Sequence, residues 1–179
     1  CLDEISKVLH STPAGTIPMQ SGASARQDYE YARHGTANLF LSIEPLCSRR
    51  QVRVTDQRTR QDFAEMLRVL VDDDYPDADI VILVVDNLNT HHPGVLYEHF
   101  PPAEPRRIAA KLEWHYTPEH GSWLNIAECE LSVLSRQCLN RRIPDIDTLR
   151  TEVAAWASRR NQAQVTVTWH FATADARIK

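Results

Sequence analysis

The sequence predicts an α/β domain in which a mixed sheet lies between helices. Three observations carry this. The apolar periodicity runs strand, strand, strand, helix, strand, helices, strand, helix, helix along the chain. Ile80-Val81-Ile82-Leu83-Val84-Val85 is a continuous apolar run bounded by turn signals, which reads as a central strand covered on both faces. Phe63, Met66, Leu67, Leu70 and Val71 fall on one helical stripe.

From the N-terminus, Cys1–Glu4 reads as a short piece of strand that can continue through Val8-Leu9-His10. Ser11–Arg26 holds Pro13, Gly15, Pro18 and Gly22 with little periodicity and reads as loop. In Thr36–Glu44, Leu39, Leu41 and Ile43 alternate with other residues, which predicts a second strand ended by Pro45. Gln51–Thr55 is a third. Thr59 caps the helix that follows, with Asp62 as a weak capping box. The run Asp72-Asp73-Asp74 is unfavourable at a helix C-terminus and is expected to help end it before Pro76. Val95–Phe100 and Arg106–Lys111 read as short helices, and Leu112–Tyr116 as a strand. Thr117–Asn125 is a turn region leading into a helix to about Leu139. A last helix spans about Asp147–Arg160, with Leu149, Val153 and Trp156 as its apolar stripe and Asp145 or Asp147 as its cap. Val165, Val167 and Trp169 alternate as an edge strand or an extended arm.

The 179 residues suffice for one domain with a real core. No apolar run approaches a membrane span. The opening Cys-Leu-Asp-Glu reads as part of a strand, which suggests the later portion of a longer product. Cys1, Cys47, Cys129 and Cys138 form no CxxC pair, so neither a zinc site nor a disulfide framework is expected, and an intracellular setting is the simple reading. The formal charge of -4 argues against a general nucleic-acid coat. Residues 1–90 carry 9 basic and 14 acidic side chains, and residues 91–179 carry 11 and 10. Affinity for DNA would therefore need local basic patches or a partner.

Strand ends are where open α/β sheets place their chemistry. Asp3 is placed at the end of the first strand fragment, Asp86 directly after the buried run, and Glu128 on the first turn of a helix. Carboxylates from separate elements suit a hard divalent cation. Each acid alone is equally a turn or cap residue. Glu130, two residues beyond Glu128, points to a different side of its helix. A domain without catalysis competes with a carboxylate-metal enzyme on these grounds.

Three blocks add to this: Asp28–Phe40, Val85-Asp86-Asn87-Leu88-Asn89-Thr90-His91, and Tyr116–Glu128 with its Gly121-Ser122-Trp123-Leu124-Asn125 core. With them the chain resembles transposases of bacterial insertion sequences in the mariner-like superfamily. Phe171–Lys179 resembles the family's C-terminal end. The resemblance implies a DDE catalytic domain over residues 1–179 with a ribonuclease-H-like fold, and an N-terminal helix-turn-helix DNA-binding region outside it. It implies Asp3, Asp86 and Glu128 as catalytic metal ligands for two Mg²⁺ or Mn²⁺ ions. The implied activity is hydrolysis of phosphodiesters at element ends and joining of 3'-OH ends to target DNA. Double-stranded DNA, a homodimeric active complex and a bacterial cytoplasmic, nucleoid-associated location are expected with it.

Asn87 and His91 are supporting candidates beside Asp86, and Asn125 is the expected cap of the helix that presents Glu128. His91 reads equally as a loop or packing histidine. Trp123 can stack on a base, although core or subunit packing is the stronger reading. Arg106, Arg107, Lys111, Arg141 and Arg142 are the candidates for phosphate contact, set against plain solvated charge. A ribonuclease-H-like nuclease that only hydrolyses, and a truncated transposase without catalysis, are the alternatives.

Overall fold

A computed structural model describes residues 1–168. The Phe171–Lys179 block and Trp169 lie outside the described residues. Strands β1 (Leu2–Ser11), β2 (Thr16–Ile17), β3 (Arg26–Gln27), β4 (Ala32–Glu44) and β5 (Arg49–Thr55) precede helix α1 (Arg60–Val69). Strand β6 (Val81–Val85), helices α2 (Gly94–His99) and α3 (Ala103–Ala110), and strand β7 (Leu112–Tyr116) follow. Helices α4 (Ile126–Leu134) and α5 (Ile146–Gln162) complete the order.

β1, β4 and β5 form an antiparallel sheet in that order, and β6 pairs with β7 in parallel. β1 lies beside β6, so the spatial order is β5, β4, β1, β6, β7. Helices cover both faces, as the ribonuclease-H-like expectation requires. On one face Leu39, Leu41 and Ile43 of β4 pack against Leu131 and Leu134 of α4 and Leu149, Val153 and Trp156 of α5. On the other, Leu2, Phe40, Leu83 and Val85 pack against Phe63, Met66 and Leu67 of α1 and Ile108 of α3. Each such side chain contributes about 1.5–3 kcal/mol by leaving water.

The Thr59 cap forms with a full capping box: Thr59 Oγ1 accepts from the Asp62 N–H at 3.3 Å, and Asp62 Oδ2 accepts from the Thr59 N–H at 2.7 Å. Several expectations are corrected. β1 is a ten-residue strand paired with β4 along its length, so Asp3 stands near its start and not its end. The predicted loop before Arg26 contributes a short ladder between β2 and β3. The triple aspartate does stand at the end of its helix, in a π-helical turn, Leu70–Asp74, that stops at Tyr75 just before Pro76. Arg107 binds Asp72 at 2.6 Å and Arg53 binds Asp74 at 2.9 Å. β6 is covered on one face only, with Leu83 and Val85 buried and Ile82 62% exposed. Val165 and Val167 lie in no strand. They run as an arm, with the Val165 carbonyl accepting from Arg50 Nη2 at 2.6 Å.

No helix among the described residues is long and apolar enough to cross a membrane. All four cysteines are free thiols.

Candidate active site

The register of β1 decides where its acids go. Leu2 belongs to the core under α1, and alternation puts Glu4 on that same side. Asp3 faces the other side with Ile5, toward the α4 layer. Asp86 follows the last residue of β6, where the strand's core-facing Val85 hands the chain to a loop. β1 and β6 are neighbouring inner strands, and the two aspartates lie where they meet, close enough for their charges to act on each other.

Their charges act on each other. Burial pushes the Asp3 carboxyl up to about 6; the Glu4 N–H bonded to it opposes this, while the negative charges of Glu4 and Asp86 add to it. Asp3 Oδ1 accepts that N–H at 2.8 Å. Asp86 Oδ1 accepts from the Leu88 N–H at 3.1 Å and lies 2.6 Å from His91 Nδ1. Each aspartate keeps its second oxygen without a hydrogen bond among the described residues.

His91 is 1% exposed and stacks on Phe63 with ring centroids 4.5 Å apart. Its Nε2 lies 2.9 Å from Oε2 of the buried Glu4. Burial works against the imidazolium, but the bonds and charges of Glu4 and Asp86 outweigh it and raise its pKa. His91 is therefore neither a surface histidine nor one packed by apolar contact alone. Glu4 escaped the sequence reading. The available signal was an acid on the core-facing alternation of a strand, which demands a buried partner.

Two asparagines tie neighbouring elements to this place. Asn87 Nδ2 donates to the Thr117 carbonyl at 2.6 Å, linking the Asp86 loop to the end of β7. Asn125 Oδ1 caps α4 by accepting from the Ala127 N–H at 3.2 Å, and its Nδ2 donates to the Leu2 carbonyl at 2.9 Å. The helix bearing Glu128 is thus fastened to the residue before Asp3. Glu128 is exposed on that first turn. Among the described residues no three His, Cys, Asp or Glu side chains are grouped as a closed metal cage, so Glu128 does not complete one with the aspartates. Like charges stay apart unless a cation lies between them.

Glu130 is engaged elsewhere. It is 2% exposed and sits 2.8 Å from Arg50 Nε and 2.7 Å from Arg160 Nε. The donor chemistry of the site suits a hard cation: two adjacent carboxylates with open oxygens, and a third acid on a tethered helix. An open cleft of about 760 Å³ starts at Asp86 and is lined by Asn87, Leu88, Thr117, Pro118, Glu119 and His120. Trp123 is 46% exposed and lies outside the chain's core.

The five basic candidates form two groups in opposite layers. Arg106 and Arg107 lie on α3, with Lys111 at its end. Arg107 is bound to Asp72 and Glu104, and Lys111 Nζ donates to the Pro76 carbonyl. Arg141 pairs with Glu152 at 2.6 Å, and Arg142 holds the Tyr29 and Glu30 carbonyls and Thr12 Oγ1. Only Arg106 has no such partner among the described residues.

Residues 1–150 match the family model described as DDE superfamily endonuclease. No curated protein and no solved structure matches the chain.

Proposed function

The chain belongs to the DDE superfamily of endonucleases, and from that premise we propose that it is the catalytic domain of a mariner-like bacterial insertion-sequence transposase. It cleaves phosphodiesters at element ends and joins the freed 3'-OH ends to target DNA. The observation that carries this reading is the closeness of Asp3 and Asp86 where the inner strands β1 and β6 meet, each with an open carboxylate oxygen.

Asp3, Asp86 and Glu128 are the residues that would hold two Mg²⁺ or Mn²⁺ ions. Such ions, when bound, supply charge stabilisation to the attacking and leaving oxygens of an in-line displacement. The chain's own contribution is placement. Asn87 and Asn125 fix the loop and helix that present Asp86 and Glu128. The cleft running from Asp86 past Thr117 to His120 is the proposed seat of the scissile strand. Arg106, the one of these five candidates with no bond or ion pair among the described residues, is the basic side chain assigned to a phosphate, and Trp123 offers a stacking face. Recognition of specific ends belongs to a separate helix-turn-helix region, and the active complex is a homodimer on double-stranded DNA in the bacterial nucleoid.

The test is cleavage and strand transfer on DNA carrying candidate element ends, in Mg²⁺ and in Mn²⁺. Wild type should nick and join, and Asp86→Asn should do neither. Activity that survives Asp86→Asn sinks the assignment. That the described residues hold no closed group of three acids favours a second reading, a folded fragment without catalysis. Absence of any nicking by wild type in both metals would select it. Nicking without joining would select a hydrolysis-only nuclease.

A further inference from the structure

We infer that His91, braced by Glu4, is a positioning residue for Asp86, occupying one of its carboxylate oxygens so that the other is the one offered to a divalent cation. This rests on the proposed role of Asp86 as a metal ligand.

The geometry is specific. Asp86 Oδ1 is met from two sides, by His91 Nδ1 at 2.6 Å and by the Leu88 N–H at 3.1 Å. The carboxylate cannot turn without breaking both contacts. Its Oδ2 is therefore held in one place, and it has no hydrogen bond among the described residues.

His91 is itself fixed. Its ring lies against Phe63 at an interplanar angle of 30°, and its far nitrogen meets Glu4 at 2.9 Å. A chain of three groups thus runs from the core side of β1 to the end of β6. Packing alone does not account for it. The core around Glu4 is apolar, with Leu2 and Phe40 on the same face of the sheet. An aliphatic residue would fill that place without the cost of burying a carboxylate. The buried acid makes sense as the brace for a histidine that must hold one orientation. Hydrogen-bonding groups behind a metal ligand commonly set affinity by factors of about 10 to 100.

The two ring nitrogens can be tested separately. An Asn side chain places its amide nitrogen near the position of Nδ1, and a Gln side chain near that of Nε2. His91→Asn thus keeps a donor for Asp86, while His91→Gln keeps one for Glu4 only. His91→Phe keeps the stack on Phe63 and loses both. Mn²⁺ affinity is measured by titration calorimetry on the metal-free chain, with Asp86→Asn alongside. Metal-free melting temperatures are recorded for every variant. His91→Gln and His91→Phe should weaken Mn²⁺ binding about 10- to 100-fold. His91→Asn should stay within roughly threefold of wild type, against that same scale, even if it melts no higher than His91→Gln. Wild-type affinity in His91→Gln and His91→Phe, with binding lost in Asp86→Asn, overturns the inference and leaves the metal reading standing. Affinity that follows melting temperature across the three His91 variants also overturns it, since His91 is then purely structural. Absence of Asp86-dependent Mn²⁺ binding in wild type removes both.

Discussion

Asn125 Nδ2 donates to the backbone carbonyl of Leu2 across 123 positions of sequence. One side chain therefore caps α4 and ties it to the strand that carries Asp3. Asn125→Asp separates the two duties. Aspartate caps a helix as well as asparagine does, but it presents an acceptor to the Leu2 carbonyl. The unmatched buried pair should cost about 1–3 kcal/mol. Nicking should fall by more than that loss of stability explains, because α4 is no longer pinned beside Asp3. Urea unfolding and nicking rates measured together check this. Wild-type nicking in a destabilised Asn125→Asp would deny the tether any part in the site.

The two glutamates of α4 should respond oppositely to removal. Glu130 lies between Arg50 and Arg160, and all three are largely buried. Glu130→Ala leaves uncompensated buried charge and should cost about 3–5 kcal/mol. Glu128 is exposed, so Glu128→Gln should leave stability within about 0.5 kcal/mol. On the proposed mechanism Glu128→Gln abolishes nicking. Urea midpoints that rank the two variants the other way would refute this division of labour.

Asp3 should make the metal-free fold weaken as pH rises. Its carboxyl is raised by burial, from the ordinary 3.8 to about 6. A group with a raised folded pKa contributes fully below its unfolded value and loses that contribution as pH climbs through the folded value. Asp3→Asn removes this dependence. Without metal, the variant should gain in melting temperature relative to wild type between pH 4 and pH 7.5, a span chosen to bracket roughly the window of that titration. Mg²⁺ at the upper pH should raise the wild-type melting temperature and not the variant's. A melting-temperature difference that stays flat with pH contradicts the assignment.

Much of the fold was legible because it rests on local periodicity. The Thr59 capping box, the β4 alternation and the α5 stripe all stand in the structure. The extension of β1 through Val8-Leu9-His10 was legible only as an option, because Ser6 and Lys7 break its apolar pattern. Its length comes from pairing with β4, a partner some thirty residues away. The π-helical turn was hidden for a similar reason, since Arg53 and Arg107 neutralise its aspartates from other elements. At the candidate site, Asp86 was visible from its place after an apolar run. Its contact with His91 spans five residues, whereas the Glu4 brace spans 87, which no local pattern reports.

The one-sided burial of β6 yields the last prediction. Six consecutive apolar residues suggest a strand covered on both faces, but Ile80 is 52% and Ile82 62% exposed while Leu83 and Val85 are sealed. The reason lies in the partner strand. Ile82 stands opposite Glu113 and Val84 opposite His115, so this face of β7 is polar. Neither α4 nor α5 reaches the pair, since both spend their apolar stripes on β4 and its neighbours. Ile82→Thr keeps the β-branch and should change stability by less than about 0.5 kcal/mol, the range of ordinary surface substitutions. Leu83→Ala should cost about 2–5 kcal/mol through the cavity it leaves. Urea unfolding of the two variants checks the pair. A large loss from Ile82→Thr would mean that this face is covered in solution.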